Sequence, residues 1–184
     1  MTPRNFSLHA INESDWAAVR DLRLEMIANT PHAYLETLAA ATAHGEEEWR
    51  MRAARNALPG SFGLAAVSSE DDSAGHWIGT MAAYLPEGTV GALLVGVYVS
   101  PEWRGSSAGV ADALLDGIEE WAIQRGPMLT LEVHQDSVAA RRFYKRRGFE
   151  ETGVAVPYPL NTSQLEFEMA KTLQRSTGRA RMLR

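Results

Sequence analysis

The stretch from Val97 to Ala122 constrains this chain more than any other. It reads as the end of a strand (Val97, Tyr98, Val99), a turn broken by Pro101, and a run of small residues from Gly105 through Ser106, Ser107, Ala108 and Gly109. A helix follows, with Val110, Leu114, Ile118 and Trp121 on one face. A helix entered through small residues leaves its first backbone N–H groups unscreened, and with the positive end of the helix dipole they form an anion site. Arg104 adds a fixed positive charge at the lip of the turn. The next apolar run, Met128 to His134, follows the helix as a strand, which predicts a right-handed crossover and parallel strands. The turn is therefore expected to hold phosphate.

The flanking chain fits a mixed sheet. Phe6 to Ile11 alternates like a strand, and Asn12 or Ser14 can cap a helix carrying Trp16, Val19, Leu22 and Met26. Pro31 ends that helix by disfavouring helical geometry at Thr30. Residues 32–58 are expected to be helical in pieces, broken at His44-Gly45. Glu46, Glu47 and Glu48 then read as a solvated helix start or as a rim that attracts an amine. Phe62–Val67, Trp77–Tyr84 and Val90–Val99, joined by short polar turns, predict an antiparallel meander. Gly96 inside the third of these is expected to mark a bulge. Gly126 is expected to cap the central helix, and Ser137–Arg147 to form a short helix ended by Gly148. A closing hairpin is expected from Val156–Pro159 and Leu165–Met169. The predicted class is α/β (α+β): about seven strands, mostly antiparallel, flanked by helices.

At 184 residues the chain suits one domain, placed at 1–174 with a basic tail at 175–184 that is expected to be flexible. An apolar content of 45% predicts a folded chain. Cysteine is absent, which excludes disulfides, thiolate metal sites and a cysteine nucleophile. The five histidines are scattered, so no metal is expected. No stretch approaches membrane length and no signal peptide is evident, so a cytoplasmic location is expected. The net charge of −5 includes a tail of arginines without acids, so the body is more acidic still. That balance suits a cationic small molecule better than nucleic acid or membrane.

Two sets of residues then resemble motifs A and B of the GNAT N-acetyltransferases. Val99-x-Pro101-x-x-Arg104-Gly105 with its loop and helix is similar to the first. Leu131-Glu132-Val133 with Ala140-x-x-Phe143-Tyr144-x-x-x-Gly148-Phe149 is similar to the second. The likeness extends over roughly residues 6–172. It departs in the loop: read from Arg104, Ser107 stands at the glycine position and Gly109 at the last, whereas read back from the helix through Gly109-Val110-Ala111 the loop is about two residues longer than usual. It departs also at Ser137, where the family usually has asparagine. The resemblance implies the GNAT acyl-CoA N-acyltransferase fold and acetyl-CoA as co-substrate. It implies a pyrophosphate on Arg104, Gly105, Ser106, Ser107, Ala108, Gly109, Val110 and Ala111, and a pantetheine along Val97, Tyr98 and Val99. Ser137, Ala140 and Phe143 complete the implied contacts. Dimers are common in similar proteins, so a homodimer is an open expectation.

Acetyl transfer to an amine needs a base, because an amine of pKa about 10 is protonated at neutral pH. It also needs a donor to the thioester carbonyl and an acid for the departing sulfur. A backbone N–H near Val97 suits the carbonyl. Tyr144 reads either as a core aromatic or as the acid. Glu132, facing away from Leu131 and Val133, reads either as a solvated strand residue or as the base. In ribosomal-protein N-terminal acetyltransferases, a glutamate in the matching place is thought to act through water. His134 on the same face is its rival. Tyr34 is the aromatic expected in the acceptor pocket. Two further readings stay open: a non-catalytic acetyl-CoA sensor or interaction module, and a serine hydrolase in which Gly105-x-Ser107-x-Gly109 is a nucleophile elbow. The acceptor amine, small molecule or peptide, is not readable.

Overall fold

The strands are β1 (Phe6–Ala10), β2 (Ser61–Ser68), β3 (Trp77–Tyr84), β4 (Ala92–Val99), β5 (Met128–His134), β6 (Glu150–Tyr158) and β7 (Asn161–Thr172). They form one seven-stranded sheet in the order β1-β2-β3-β4-β5-β7-β6. These elements come from a computed structural model that describes residues 5–70, 75–105 and 107–174. β1 to β4 pair antiparallel, β5 joins β4 parallel, and β7 returns antiparallel between β5 and β6. The helices are α1 (Trp16–Asn29), α2 (Leu38–Thr42), α3 (Glu46–Arg55), α4 (Val110–Ile123) and α5 (Val138–Arg146). This is the mixed, mostly antiparallel architecture that the sequence predicts.

Local chemistry sets the element ends. Asn12 Oδ1 accepts from the Ser14 N–H at 2.9 Å, and Asp15 Oδ2 accepts from the Asn12 N–H at 2.8 Å, a reciprocal cap that starts the path into α1. Glu46 pairs with Arg50 and Glu48 with Arg52 one turn along α3. Two of the three acids at that helix start are thus neutralised within it, and the helix-start reading holds over the amine rim.

The sheet separates two apolar layers. Val110, Leu114, Leu115 and Ile118 of α4 are fully buried with Met81, Leu129 and Leu131 on one face. Leu22, Met26 and Ile27 of α1 pack with Trp49, Tyr34 and Tyr98 on the other. Because successive strand side chains alternate, Leu129, Leu131 and Val133 face α4 while Glu132 and His134 face the α1 layer. Arg147 ties α5 to Asp112, Asp116 and Glu119 of α4, and Lys171 of β7 reaches Glu119 at 2.6 Å.

The role expected of Gly126 is corrected. It follows α4 but does not adopt the left-handed conformation of a glycine cap. Its site is instead one of close approach: a Cβ on Gly126 would lie 2.8 Å from the Gly91 Cα. Gly91 is tighter still, with φ 106° and a built Cβ only 2.2 Å from the Met128 carbonyl oxygen. Two bare backbones cross here, and the crossing sets β4 beside β5. Gly91→Ala is expected to cost about 3 kcal/mol, from overpacking plus left-handed strain, seen as a lowered midpoint in thermal or urea unfolding.

Candidate active site

The site begins where β4 and β5 part. They pair only at Ala92↔Leu129 and Leu93↔Thr130. Further along, β4 carries one residue more than β3 between Thr80↔Tyr98 and Ala82↔Val95. Gly96 sits in that interval with φ 61°, a conformation that only glycine adopts without strain. The expected bulge is therefore present, and the β5-facing edge of β4 beyond Leu93 is left without a paired strand. The Tyr34 hydroxyl donates to the Val97 carbonyl at 3.1 Å, fixing β4 just past the bulge.

β4 ends in a turn of 3-10 helix, Pro101–Trp103. Arg104 then folds back: Nε donates to the Val99 carbonyl at 2.7 Å and Nη2 to Asn29 Oδ1 at 2.6 Å. Its guanidinium lies 5.4 Å from the Tyr98 ring. The side chain thus keeps its charge at the lip while anchoring the loop to β4 and α1. The Ala108 N–H donates to the Gly105 carbonyl at 3.3 Å, and Gly109, at φ 70°, precedes the first helical residue Val110. The helix register therefore runs from Gly109-Val110-Ala111. Ser106 lies outside the described residues, as does the basic tail 175–184. A Cβ on Gly105 or Gly109 would meet no atom within 4 Å, so the space over the loop is open. Bare N–H groups at the start of a 14-residue helix, facing open space, fit a pyrophosphate.

The hydrolase alternative fails on this geometry. A nucleophile elbow is a sharp turn from strand directly into helix. Here β4 ends at Val99 and α4 starts at Val110, with Ser107 exposed on the loop between them.

Behind the β4 edge, between the sheet and α1–α3, lies a cavity of about 500 Å³. Tyr34, Trp49 and Trp77 line it beside Leu22, Met26 and Leu94. Gly96 opens onto it, and so does Glu132. Glu132 has no hydrogen bond or ion pair among the described residues. Reading the sequence missed Glu166 of β7, which lines the cavity beside Glu132. Burial pushes the Glu166 carboxyl above its ordinary range, and the charge of Glu132 pushes it further, partly offset by His134. The alternation of Leu165, Glu166, Phe167 and Glu168 hinted that these glutamates share a face. Only the register His134↔Glu166 and Glu132↔Glu168 places that face beside Glu132.

His134, the rival candidate base, is enclosed, and its buried Nε2 has no hydrogen-bond partner among the described residues. It is 2% exposed and does not line the cavity. Its Nδ1 accepts from the Asp136 N–H at 3.2 Å, and its ring packs between His32 at 5.0 Å and Tyr158 at 4.8 Å. The hairpin of β6 and β7 covers it, since the Tyr158 hydroxyl reaches the Tyr34 carbonyl at 3.2 Å.

Tyr144 is 5% exposed, its ring between Phe143 and Phe149 at 5.4 and 5.6 Å. Burial raises its hydroxyl pKa well above the ordinary tyrosine value, and Tyr34 adds in the same direction. Tyr144 thus sits within electrostatic reach of the side chain that holds Val97. Its hydroxyl makes no hydrogen bond among the described residues. Ala140 and Phe143 pack partly buried against the α4 layer. The Ser137 N–H donates to the His134 carbonyl at 2.9 Å, and its side chain makes no capping bond to α5.

Glu36 holds the helical wall of the cavity together. It accepts from Arg52 at 2.9 Å and Arg23 at 3.3 Å, and meets His44 at 2.9 Å. Burial alone would raise its pKa, but the Arg52 and His44 hydrogen bonds and the charges of both arginines prevail, bringing it from 4.5 to about 2. A carboxylate with a depressed folded pKa stabilises the fold above its unfolded value, and the effect fades as pH falls from 4.5 to about 2. Glu36→Gln is expected to cost about 2 kcal/mol near neutral pH, after allowing for solvent screening. The variant should also lose that part of the acid-unfolding slope, measured by circular dichroism against pH.

Among the described residues no helix is long and apolar enough to cross a membrane, and no group of three or more His, Asp or Glu side chains could hold a metal ion. The model of the acetyltransferase (GNAT) family matches residues 20–149. No curated protein sequence matches the chain. Among solved structures, a GCN5-related N-acetyltransferase from Kribbella flavida aligns with TM-score 0.69 and 21% identity over 91% of this chain and 98% of that one. The N-acetyltransferase PaiA from Thermoplasma acidophilum, in complex with coenzyme A, aligns with TM-score 0.69 and 17% identity over 91% and 99%. Nourseothricin acetyltransferase is 26% identical over 63% of this chain and 67% of its own, with TM-score 0.56.

Proposed function

Since the chain belongs to the GNAT acetyltransferase family, we propose that it moves the acetyl group of acetyl-CoA to a primary amine by direct attack while both are bound. The observation that carries this reading is the parting of β4 from β5 after Leu93↔Thr130, which opens an unpaired strand edge directly onto the cavity holding Glu132. An unpaired edge offers the backbone groups that an extended amide chain such as pantetheine needs. Val97, Tyr98 and Val99 would hold that arm through their backbones. The Tyr98 side chain is occupied, its hydroxyl donating to Glu25 Oε1 at 2.9 Å. The loop from Arg104 to Ala111 would hold the pyrophosphate, Arg104 mainly by fixing its shape. Ser137, Ala140 and Phe143 would border the same ligand.

Acetyl-CoA, when bound, supplies an activated thioester. The protein's own groups do the rest. Glu132 takes the proton of the incoming ammonium, directly or through water. A backbone N–H near Val97, held in place by Tyr34, steadies the negative charge that grows on the carbonyl oxygen. Tyr144 keeps a proton on Oη, because burial disfavours the phenolate, and gives it to the departing sulfur, while the second proton shed by the attacking nitrogen restores the phenol. His134, enclosed by His32 and Tyr158, takes no part in this scheme.

A coenzyme A-release screen across primary amines tests the reading, with nourseothricin included because of the likeness to its acetyltransferase. Amine-dependent release of free thiol is the expected result. Tight acetyl-CoA binding with no release for any amine would instead favour the sensor.

A further inference from the structure

The acceptor cavity is charged oppositely at its two ends. Glu132 on β5 and Glu166 on β7 line one side, and neither has an ion-pair partner among the described residues. Across β4 and β3, Arg55 and Asn56 line the other, where α3 ends. Asn56 is committed within the fold: its Nδ2 donates to the Arg52 and Ala53 carbonyls at 3.1 and 3.2 Å, and its Oδ1 lies 2.1 Å from where a Cβ on Gly63 of β2 would be. The other arginines of the wall are committed. Arg52 is held by Glu36 and Glu48, and Arg23 shares Glu36 while lying 4.8 Å from the Tyr34 ring. The Arg55 side chain is exposed where α3 ends; among the described residues its one hydrogen bond is to the Met51 sulfur, at 3.6 Å, and its charge also acts on Glu48. A guanidinium that no carboxylate hydrogen-bonds is a ready partner for a carboxylate or phosphate.

We infer that the acceptor is an amine carrying an anionic group at its far end, the ammonium held by Glu132 and Glu166 and the anion by Arg55. This rests on the acetyltransferase reading. Two carboxylates facing one ammonium have separate uses: one takes the proton and the other stays charged as counter-ion. From β5 to β2 are three strand spacings of about 4.8 Å, and side chains reaching inward leave about 10 Å between the bound charges. The carboxylate of an α-amino acid lies too close to its own amine to span that gap. Between the ends lie Leu22, Met26, Trp49 and Ala82, and the arginines there, Arg23 and Arg52, are paired with Glu36, so the connecting part is an alkyl or similarly apolar segment.

The test compares 8-aminooctanoate with octylamine and 1,8-diaminooctane, whose amine and far group have the matching reach. With the wild-type full chain, kcat/KM for 8-aminooctanoate should exceed that for either comparison by about 10-fold, the size of a charge-assisted hydrogen bond. Arg55→Glu should invert the ratio of 8-aminooctanoate to diamine, and Arg55→Lys should retain the preference. Each ratio is taken within one preparation, so loss of folded protein cancels. A ratio unchanged in Arg55→Glu, or a wild-type preference for the diamine, overturns the inference while acetyl transfer stands. If no amine is acetylated, calorimetric titration of 8-aminooctanoate into the coenzyme A complex separates the two readings. Binding abolished by Arg55→Glu then supports the two-ended cavity and removes only the transfer reading, whereas absent binding removes both.

Discussion

Tyr144→Phe is expected to reduce acetyl transfer by about 10²–10⁴-fold, the usual worth of a positioned general acid, while leaving acetyl-CoA affinity intact. The structure makes this a clean substitution. The ring is buried between Phe143 and Phe149, and its hydroxyl has no hydrogen bond among the described residues. Removing that oxygen therefore breaks no bond within the fold, so stability should hardly change. Phenylalanine keeps the edge contacts with both neighbours. Turnover by coenzyme A release, affinity by titration and the unfolding midpoint, taken together, separate chemistry from folding. A variant that works at the wild-type rate would remove Tyr144 from the mechanism.

The second large effect is expected at Glu132. Glu132→Gln should lower kcat/KM for the amine by about 10²-fold at neutral pH, because the base is lost and Glu166 remains engaged as the counter-ion of the ammonium. The pH profile carries the diagnosis. Without its base the enzyme depends on amine already neutral in solution, so the rate should climb with pH towards the amine pKa of about 10. Glu166→Gln should behave differently, raising KM for the amine more than it lowers kcat. Its carboxyl is lifted by burial and by the charge of Glu132, so Glu132→Gln should also lower the proton affinity of Glu166. If Glu132→Gln kept wild-type rates and Glu166→Gln lost them, the roles would be reversed.

These expectations show how unevenly the site could be read from the chain alone. Glu132, Gly96 and the loop from Arg104 to Ala111 lie in local patterns: an acid alternating with apolar neighbours, a strand glycine, and a small-residue run before an amphipathic helix; Tyr144 stands out only through the likeness to motif B. Such patterns survive in one dimension because they follow strand and helix periods. Arg104 illustrates the limit. Its place at the lip is local, but its bonds to the Val99 carbonyl and to Asn29, 75 positions away, depend on where α1 packs. Gly126 misled for a similar reason: a glycine after a helix usually caps it, and here the constraint is the crossing with Gly91.

The sequence by itself determined the layered α/β class, the antiparallel meander, the parallel crossover and the bulge at Gly96, since each follows from spacing along the backbone. It also singled out Tyr144 and Glu132. Only the tertiary structure decided that Glu166 stands beside Glu132, that His134 is enclosed behind His32 and Tyr158, and that Arg55 faces the same cavity from the far side. These are questions of strand register and of helix packing across the sheet. A shift of one residue in the pairing of β5 with β7 would turn Glu166 to the opposite face, and no local pattern encodes that register.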